Sequence, residues 1–132
     1  MSVRIVRLGT PRLPGEGIRI GTVRRPPRGV PKSEFASRDF YDAWLPLLSP
    51  SDELVRFGQA AATDAQWRTF ARRFRGEMKA PEARQALLLL AALSRTADLA
   101  VGCYCETEAR CHRSVLRELL AEAGAVMVQA NG

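Results

Sequence analysis

The last third of the chain constrains the fold most, because two short apolar runs flank an amphipathic helix there. The run ADLAVGCY at 97–104 is typical of a buried strand. The stretch CHRSVLRELLAEAG at 111–124 has apolar side chains on one helical face and ends at a glycine, a common helix stop. A second short strand is predicted at 125–129, AVMVQ. Two strands joined by a helix pair most economically as a parallel crossover, so we predict an α/β fold.

Two further strands are predicted near the N-terminus. VRIVRL at 3–8 and GIRIGTV at 17–23 alternate apolar and polar residues, a pattern typical of strands with one face in water. The following RRPPRGVPK at 24–32 interrupts regular structure, because adjacent prolines remove amide donors, and we predict an ordered loop or a mobile lid. The segment 39–48 has no clear period, and its proline argues against a long helix.

Three helices are predicted between these regions. Ser49 is the predicted cap of the first, with Pro50 in the first helical position. Thr63 and Gln66 form a capping-box pattern for the second, and the third follows Pro81 and runs to about Leu93. The second helix has four apolar residues at helical spacing that we assign to the core: Trp67, Phe70, Phe74 and Met78.

Length and composition indicate a single soluble domain. With 132 residues, of which 46% are hydrophobic and 26% charged, the chain can bury a sizeable core and is not expected to be disordered. The longest apolar run, at 86–93, is too short to cross a bilayer, so no membrane association is predicted. We predict one three-layer α/β domain over 1–132, a mostly parallel sheet flanked by helices. The expected location is the cytoplasm, where cysteines stay reduced.

The charge of the chain is positive and uneven. The formal net charge is +6, and residues 1–32 contain eight basic side chains but a single acid, Glu16. Such a field attracts phosphates, nucleotides or nucleic acid, although arginines also decorate ordinary surfaces.

All three cysteines and the only histidine fall within ten positions: Cys103, Cys105, Cys111 and His112. They follow a predicted buried strand and open a predicted helix. The carboxyl ends of strands form the ligand crevice of open α/β sheets, and helix N-termini attract anions. The position therefore predicts a functional site.

Three interpretations of this cluster remain open. The Cys-x-Cys-x5-Cys-His spacing could bind a metal, but adjacent side chains on a helix diverge by about 100°, so no metal is predicted as the first choice. A c-type haem would need a cysteine at Glu108. Cys111, beside His112 and Arg113, has the surroundings of a reactive thiolate. Cys103, on the apolar strand, is most simply a packing residue.

The chain resembles the YeaO-like family, domain of unknown function 488 (DUF488), through RRPPRGVPK, AWLPLLSPSDELVRFG, WRTFARRFRGEM and CYCETEARCHRSVLRELL. The resemblance spans about residues 18–120 and implies a small α/β protein without an assigned activity. The family's motif positions correspond to Arg24, Pro27, Arg28, Gly29, Trp44, Leu45, Pro50, Ser51 and His112. Members typically have Trp where this chain has Pro26, and some lack the cysteines while keeping the histidine. The chain resembles a Cys-His-Arg branch; the family as a whole implies no essential cysteine or zinc site, and a branch-specific one stays open.

We predict a pocket for a small phosphate- or carboxylate-bearing ligand, with a nucleotide as one candidate. The predicted ligand-binding residues are Arg24, Arg28, Arg113 and Ser114, and the predicted catalytic residues, if a reaction occurs, are His112 and Cys111. Arg28 would bind the anion through two guanidinium N–H groups, and His112 would transfer a proton. No cofactor is predicted, and the sequence leaves open whether the protein is an enzyme.

Two alternatives belong to other functional classes. The basic N-terminal third could form a nucleic-acid-binding module, although no recognition motif supports it. The cysteines could instead form a metal or thiol sensor. The sequence predicts no oligomeric state.

Overall fold

Four parallel strands form one sheet in the computed structural model, which describes residues 1–128. The strands are β1 (Val3–Arg7), β2 (Ile18–Gly21), β3 (Ala43–Trp44) and β4 (Leu99–Cys103), in the spatial order β1-β4-β2-β3. The helices are α1 (Asp52–Ala60), α2 (Asp64–Glu77), α3 (Pro81–Leu93) and α4 (His112–Glu122). Three short 3-10 helices span Lys32–Glu34, Pro46–Leu48 and Glu108–Arg110. The predicted α/β class and parallel sheet are confirmed.

The central strand β4 is buried along its whole length. Its Val101 pairs with Ile5 of β1 on one side and with Ile20 of β2 on the other. A strand covered on both faces needs an almost continuous apolar sequence, which LAVGC supplies. Because β2 and β4 are neighbouring parallel strands, their carboxyl ends lie side by side.

The two faces of the sheet are covered differently. The larger hydrophobic cluster joins residues of all four α-helices to one face, including Leu99 and Val101 of β4. The smaller cluster covers the other face and contains Ala100 with loop residues such as Tyr41 and Phe35. The loop layer also buries Arg19 of β2, although the alternating pattern predicted water on that face.

Two glycines allow the loop layer to approach the sheet closely. A Cβ on Gly17 would lie 1.9 Å from the carbonyl oxygen of Asp98, and Gly17 has a φ of +81°. A Cβ on Gly21 would lie 2.4 Å from the ring of Tyr41. Neither position has room for a side chain.

The helix ends largely follow the sequence signals, with one correction. The capping box of Thr63 and Gln66 is present, and Gly124 follows α4 with a φ of +96°. The predicted cap of α1 was wrong: Ser51, not Ser49, accepts a hydrogen bond from the amide of Leu54. Ser49 is instead buried after the 3-10 turn, and its hydroxyl donates to a carbonyl within that turn. It cannot therefore cap the helix.

The strand predicted at 125–129 is reduced to one parallel bridge between Val3 and Met127. Gln129, the last residue of that prediction, lies outside the described residues. Within residues 1–128, no helix combines the length and the apolar character needed to cross a bilayer.

Candidate functional site

A cavity of about 770 Å³ opens at the carboxyl ends of β2 and β4. Residues 23–28, which come after β2, form one wall, and residues 103–105, at the end of β4 and just beyond it, form another. The start of α4 and parts of α1 and α2 complete it. This is the edge at which parallel α/β sheets bind ligands.

Hydrogen bonds from or to three other parts of the chain anchor the arginine–proline segment, residues 24–28, and the residue before it. The indole Nε1 of Trp44 donates to the carbonyl of Val23 (2.7 Å), and Arg24 Nε donates to the carbonyl of Pro50 (3.1 Å). The hydroxyl of Tyr104 donates to the carbonyl of Arg25 (2.8 Å). The segment predicted as a loop or lid is thus an anchored wall of the cavity.

Arginines dominate the charge of the cavity, whose lining includes no acidic side chain among the described residues. Arg25 pairs with Asp52 (3.2 Å), and Arg110 pairs with Asp64. Arg28 is exposed and makes no side-chain hydrogen bond or ion pair within residues 1–128. Arg28 lines the cavity, and its five guanidinium donors are unpaired within residues 1–128, an arrangement that suits an anion.

Aromatic rings form the apolar part of the lining. Trp67 and Phe70 of α2 stack with centroids 4.8 Å apart and planes 17° apart. Phe40 and Tyr104 meet edge to face at 6.3 Å. Trp67 was predicted as core, but it is only partly buried and lines the cavity, whereas Phe74 and the other members of that stripe are buried.

The three cysteines and His112 converge at the floor of the cavity. Cys103 and Cys111 are buried, Cys105 is exposed, and all three are free thiols. The Cys103 and Cys105 sulfurs are 3.7 Å apart, and the Cys111 sulfur is 3.6 Å from Nδ1 of His112. The ligand atoms of Cys103, Cys111 and His112 all lie within 4.8 Å of one another.

The backbone explains why neighbouring residues converge. Cys111 is the N-cap of α4 and has extended dihedral angles (φ −129°, ψ 152°), whereas His112 is the first helical residue. Their side chains are therefore not separated by the helical angle of about 100°.

A hydrogen bond at the far side of the imidazole fixes its tautomer. His112 Nε2 lies 2.7 Å from the carbonyl oxygen of Thr22. A carbonyl can only accept, so Nε2 bears the proton, and in the neutral ring Nδ1 presents its lone pair to Cys111. The ring is buried and meets Phe74 edge to face at 5.4 Å.

The pKa values of the three thiols are shifted in different directions. Hydrogen bonds from Cys103 and then Cys111, opposed by burial and helped by the charge of Arg113, lower the pKa of Cys105 to about 3. The pKa of Cys111 is also lowered, first by its hydrogen bond with Cys103 and further by His112. The same sulfur hydrogen bonds and burial raise the pKa of Cys103. The cluster therefore favours a thiolate on its exposed side.

The structure brings four of the six predicted site residues to the cavity: Arg24, Arg28, Cys111 and His112. Arg113 and Ser114 do not line it. Arg113 is buried and donates to the carbonyls of Val6 (2.8 Å) and Cys105 (2.6 Å), and its Nε has no partner among the described residues. The hydroxyl of Ser114 donates to the carbonyl of Cys111 (2.9 Å).

Two lining or supporting residues were missed from the sequence, whereas Cys105, the exposed thiol of the cluster, was named in the metal or thiol sensor alternative. Arg110 closes the cavity from the 3-10 turn before α4. Thr22 acts through its backbone carbonyl, which no side-chain pattern reveals.

The sequence model of a family described as "Active DUF488-N3 subclade" matches residues 3–124. No curated protein and no solved structure matches the chain.

Proposed function

Since the chain belongs to the DUF488-N3 subclade, which confirms its resemblance to DUF488, we propose a function from its own cavity: it binds a small anionic ligand there. A phosphate or carboxylate would be the charged end of this ligand, and an aromatic or apolar body would fill the rest. A nucleotide combines both features.

One observation carries the proposal: an unpaired arginine borders a cavity whose described lining contains no carboxylate. Arg28 makes no ion pair within residues 1–128, unlike Arg25 and Arg110, which have carboxylate partners. A guanidinium binds phosphate or carboxylate through two parallel hydrogen bonds. Arg24 supports the same end of the cavity, although it also holds the carbonyls of Ser49 and Pro50.

The walls suit the proposed body of the ligand. The cavity volume of about 770 Å³ lies within the usual range of roughly 300–1,000 Å³ for small-molecule sites. The partly buried ring of Trp67, stacked on the buried ring of Phe70, is available for contact with a planar group. The first-turn amides of α4 add a weak positive potential at the floor.

Among the six residues predicted for the site, the arginines have different places in this proposal. Arg28 and Arg24 bind the anion, whereas Arg113 holds the Cys105 loop in position from behind. The catalytic role predicted for Cys111 and His112 stays a prediction, and the proposal concerns binding. The cytoplasm, which keeps free thiols reduced, is the proposed location.

Calorimetric titration with nucleoside monophosphates and with inorganic phosphate tests the proposal. Arg28→Gln should weaken binding by at least about tenfold, because a charge-assisted hydrogen bond contributes roughly 1.5–3 kcal/mol. Arg38→Gln is the matched control, since it removes the same charge from an exposed residue outside the cavity lining. Equal binding by the wild type and Arg28→Gln would overturn the proposal.

The nucleic-acid alternative makes a different prediction in the same assay. Four of the eight basic residues in 1–32 pair with acids inside the domain: Arg7, Arg12, Arg19 and Arg25. This local pairing reduces the field available to a long polyanion. Tight, steeply salt-dependent binding of an oligonucleotide, without binding of mononucleotides, would favour the alternative.

A further inference from the structure

We propose that Cys103, Cys105, Cys111 and His112 form a binding site for one Zn²⁺ ion at the floor of the cavity. The proposal goes beyond anion binding and does not depend on it. It rests on the convergence of three sulfurs and one imidazole nitrogen from a strand end, a loop and a helix start.

The distances within the cluster match those of a tetrahedral site. Zinc–sulfur bonds of about 2.3 Å and zinc–nitrogen bonds of about 2.05 Å place two sulfurs about 3.8 Å apart, and a sulfur and a nitrogen about 3.6 Å apart. The Cys103–Cys105 sulfur distance is 3.7 Å, and the Cys111 sulfur lies 3.6 Å from His112 Nδ1. Two independent edges of the tetrahedron therefore already have the required length.

The imidazole is held in the form that a metal needs. Its Nε2–H donates to the carbonyl of Thr22, so the lone pair of Nδ1 points toward the thiols. Metal-binding histidines commonly donate their second ring N–H to a carbonyl or carboxylate. The carbonyl of Thr22 is fixed in turn, since the amide and hydroxyl of Thr22 both donate to Gly102 of β4.

The charge around the cluster suits an anionic zinc complex. In the complex all three sulfurs are thiolates, any thiol proton still present is released to solvent, and Zn²⁺ with three thiolates and a neutral imidazole has a net charge of −1. Arg113 supplies the opposite charge: it is buried, donates to the carbonyl of Cys105, and keeps one donor, Nε, unpaired among the described residues. A buried guanidinium without a carboxylate needs such a partner.

The donor set selects the kind of metal. Thiolates are soft ligands that favour zinc over magnesium or calcium, which prefer oxygen. The ligand atoms of the buried Cys103, Cys111 and His112 all lie within 4.8 Å of one another, whereas Cys105 lies on the exposed loop outside that group, with its sulfur 3.7 Å from that of Cys103. The first three would hold the ion, and Cys105 would close the site toward the cavity.

Elemental analysis of the full chain, purified without chelator, should find one zinc per molecule. Cobalt substitution then reports geometry, because tetrahedral Co²⁺ has intense visible bands and sulfur-to-cobalt charge transfer grows with the number of thiolates. Cys105→Ser should lose about a third of that charge-transfer intensity, and His112→Gln should weaken zinc binding at least about tenfold. Glu106→Gln is the matched control in the same loop, where it alters no proposed ligand.

Substoichiometric zinc together with an octahedral cobalt spectrum would overturn the proposal. Unchanged charge transfer in Cys105→Ser would overturn the four-ligand set. Because Cys105 is exposed, this variant keeps the test valid if the buried-cysteine variants fail to fold. Arg28→Gln should keep its zinc, so failure of the anion proposal and failure of the zinc proposal are distinguishable.

Discussion

Two buried arginines of this small domain, Arg19 and Arg113, differ in whether a carboxylate pairs with their charge. Their exposed fractions are 0% and 3%. Arg19 forms a two-pronged ion pair with Glu16, with Nε 2.6 Å and Nη2 3.1 Å from the two carboxylate oxygens. Its Nη1 donates to the carbonyls of Thr10 and Asp39, so the charge and the donors are satisfied inside the loop layer.

Arg113 has no such carboxylate partner within residues 1–128. Its guanidinium donates to two carbonyls, and Nε is buried without an acceptor. A buried charge is costly unless it is paired. The comparison indicates that Arg19 and Glu16 form a complete structural ion pair, which we call the Arg19 clamp. Arg113 instead has an unpaired charge that is available to an anionic partner beside Cys105. In the zinc proposal, that difference separates a structural ion pair from an arginine that supports the metal site.

The largest effect is expected from breaking the Arg19 clamp. Arg19→Met leaves Glu16 buried without its counterion and should cost about 3–5 kcal/mol of unfolding free energy. Urea denaturation measures this loss. The double variant Arg19→Met/Glu16→Met should recover much of the loss, because it leaves no unpaired charge. A loss below about 1 kcal/mol in the single variant would contradict the clamp.

A smaller effect is expected when Arg113 is replaced. Arg113→Met removes two hydrogen bonds to carbonyls but also a buried charge without a carboxylate, so the metal-free protein should lose about 1–3 kcal/mol. The same variant should weaken zinc binding by roughly 10- to 100-fold, as loss of a supporting contact does at metal sites. Chelator competition measures the second effect. Unchanged zinc affinity would remove Arg113 from the site, and a stability loss equal to that of Arg19→Met would contradict the comparison.

The sequence predicted the place of the site but not its geometry. The end of β4 and the start of α4 were identified from the apolar run and the helical pattern. The convergence of Cys111 and His112 was not, because the prediction assumed helical angles at both positions. Cys111 is instead extended, and a single non-helical residue at a helix start is not visible in a hydrophobic pattern.

Side-chain direction was the second feature of the site that the sequence did not predict. Arg113 was predicted to bind ligand from the first turn of α4, but its side chain turns inward toward Val6. The polar positions of β2 were predicted to face water, but a long loop buries Arg19. Periodicity reports which residues share a face of a strand, and it does not report what a distant loop places over that face.

The dependence of stability on pH in acid is a third measurement that distinguishes the paired Arg19 from the unpaired Arg113. Burial alone would raise the pKa of Glu16, but hydrogen bonds from Arg19 and from the amide of Leu13 outweigh burial and lower it below the ordinary 4.5. A lowered folded-state pKa adds stability above the unfolded value, and this stability is lost as the pH falls through the folded value. The urea midpoint should therefore fall on acidification below 4.5. Glu16→Gln should flatten that slope and Arg113→Met should preserve it, whereas a slope unchanged in Glu16→Gln would contradict the assignment.

The smallest effect is expected at Arg75, an arginine with two carboxylate partners in a more exposed setting. Its Nη2 lies 2.7 Å from both Glu118 and Glu122 of α4, and the two acidic side chains are 62% and 59% exposed. Water screens such pairs, so Arg75→Gln should cost less than about 1 kcal/mol, and added salt should shrink the difference from the wild type. Urea denaturation at low and high salt measures both. A salt-independent loss comparable to that of Arg19→Met would mean that the number of partners, rather than their burial, decides what an arginine contributes to this fold.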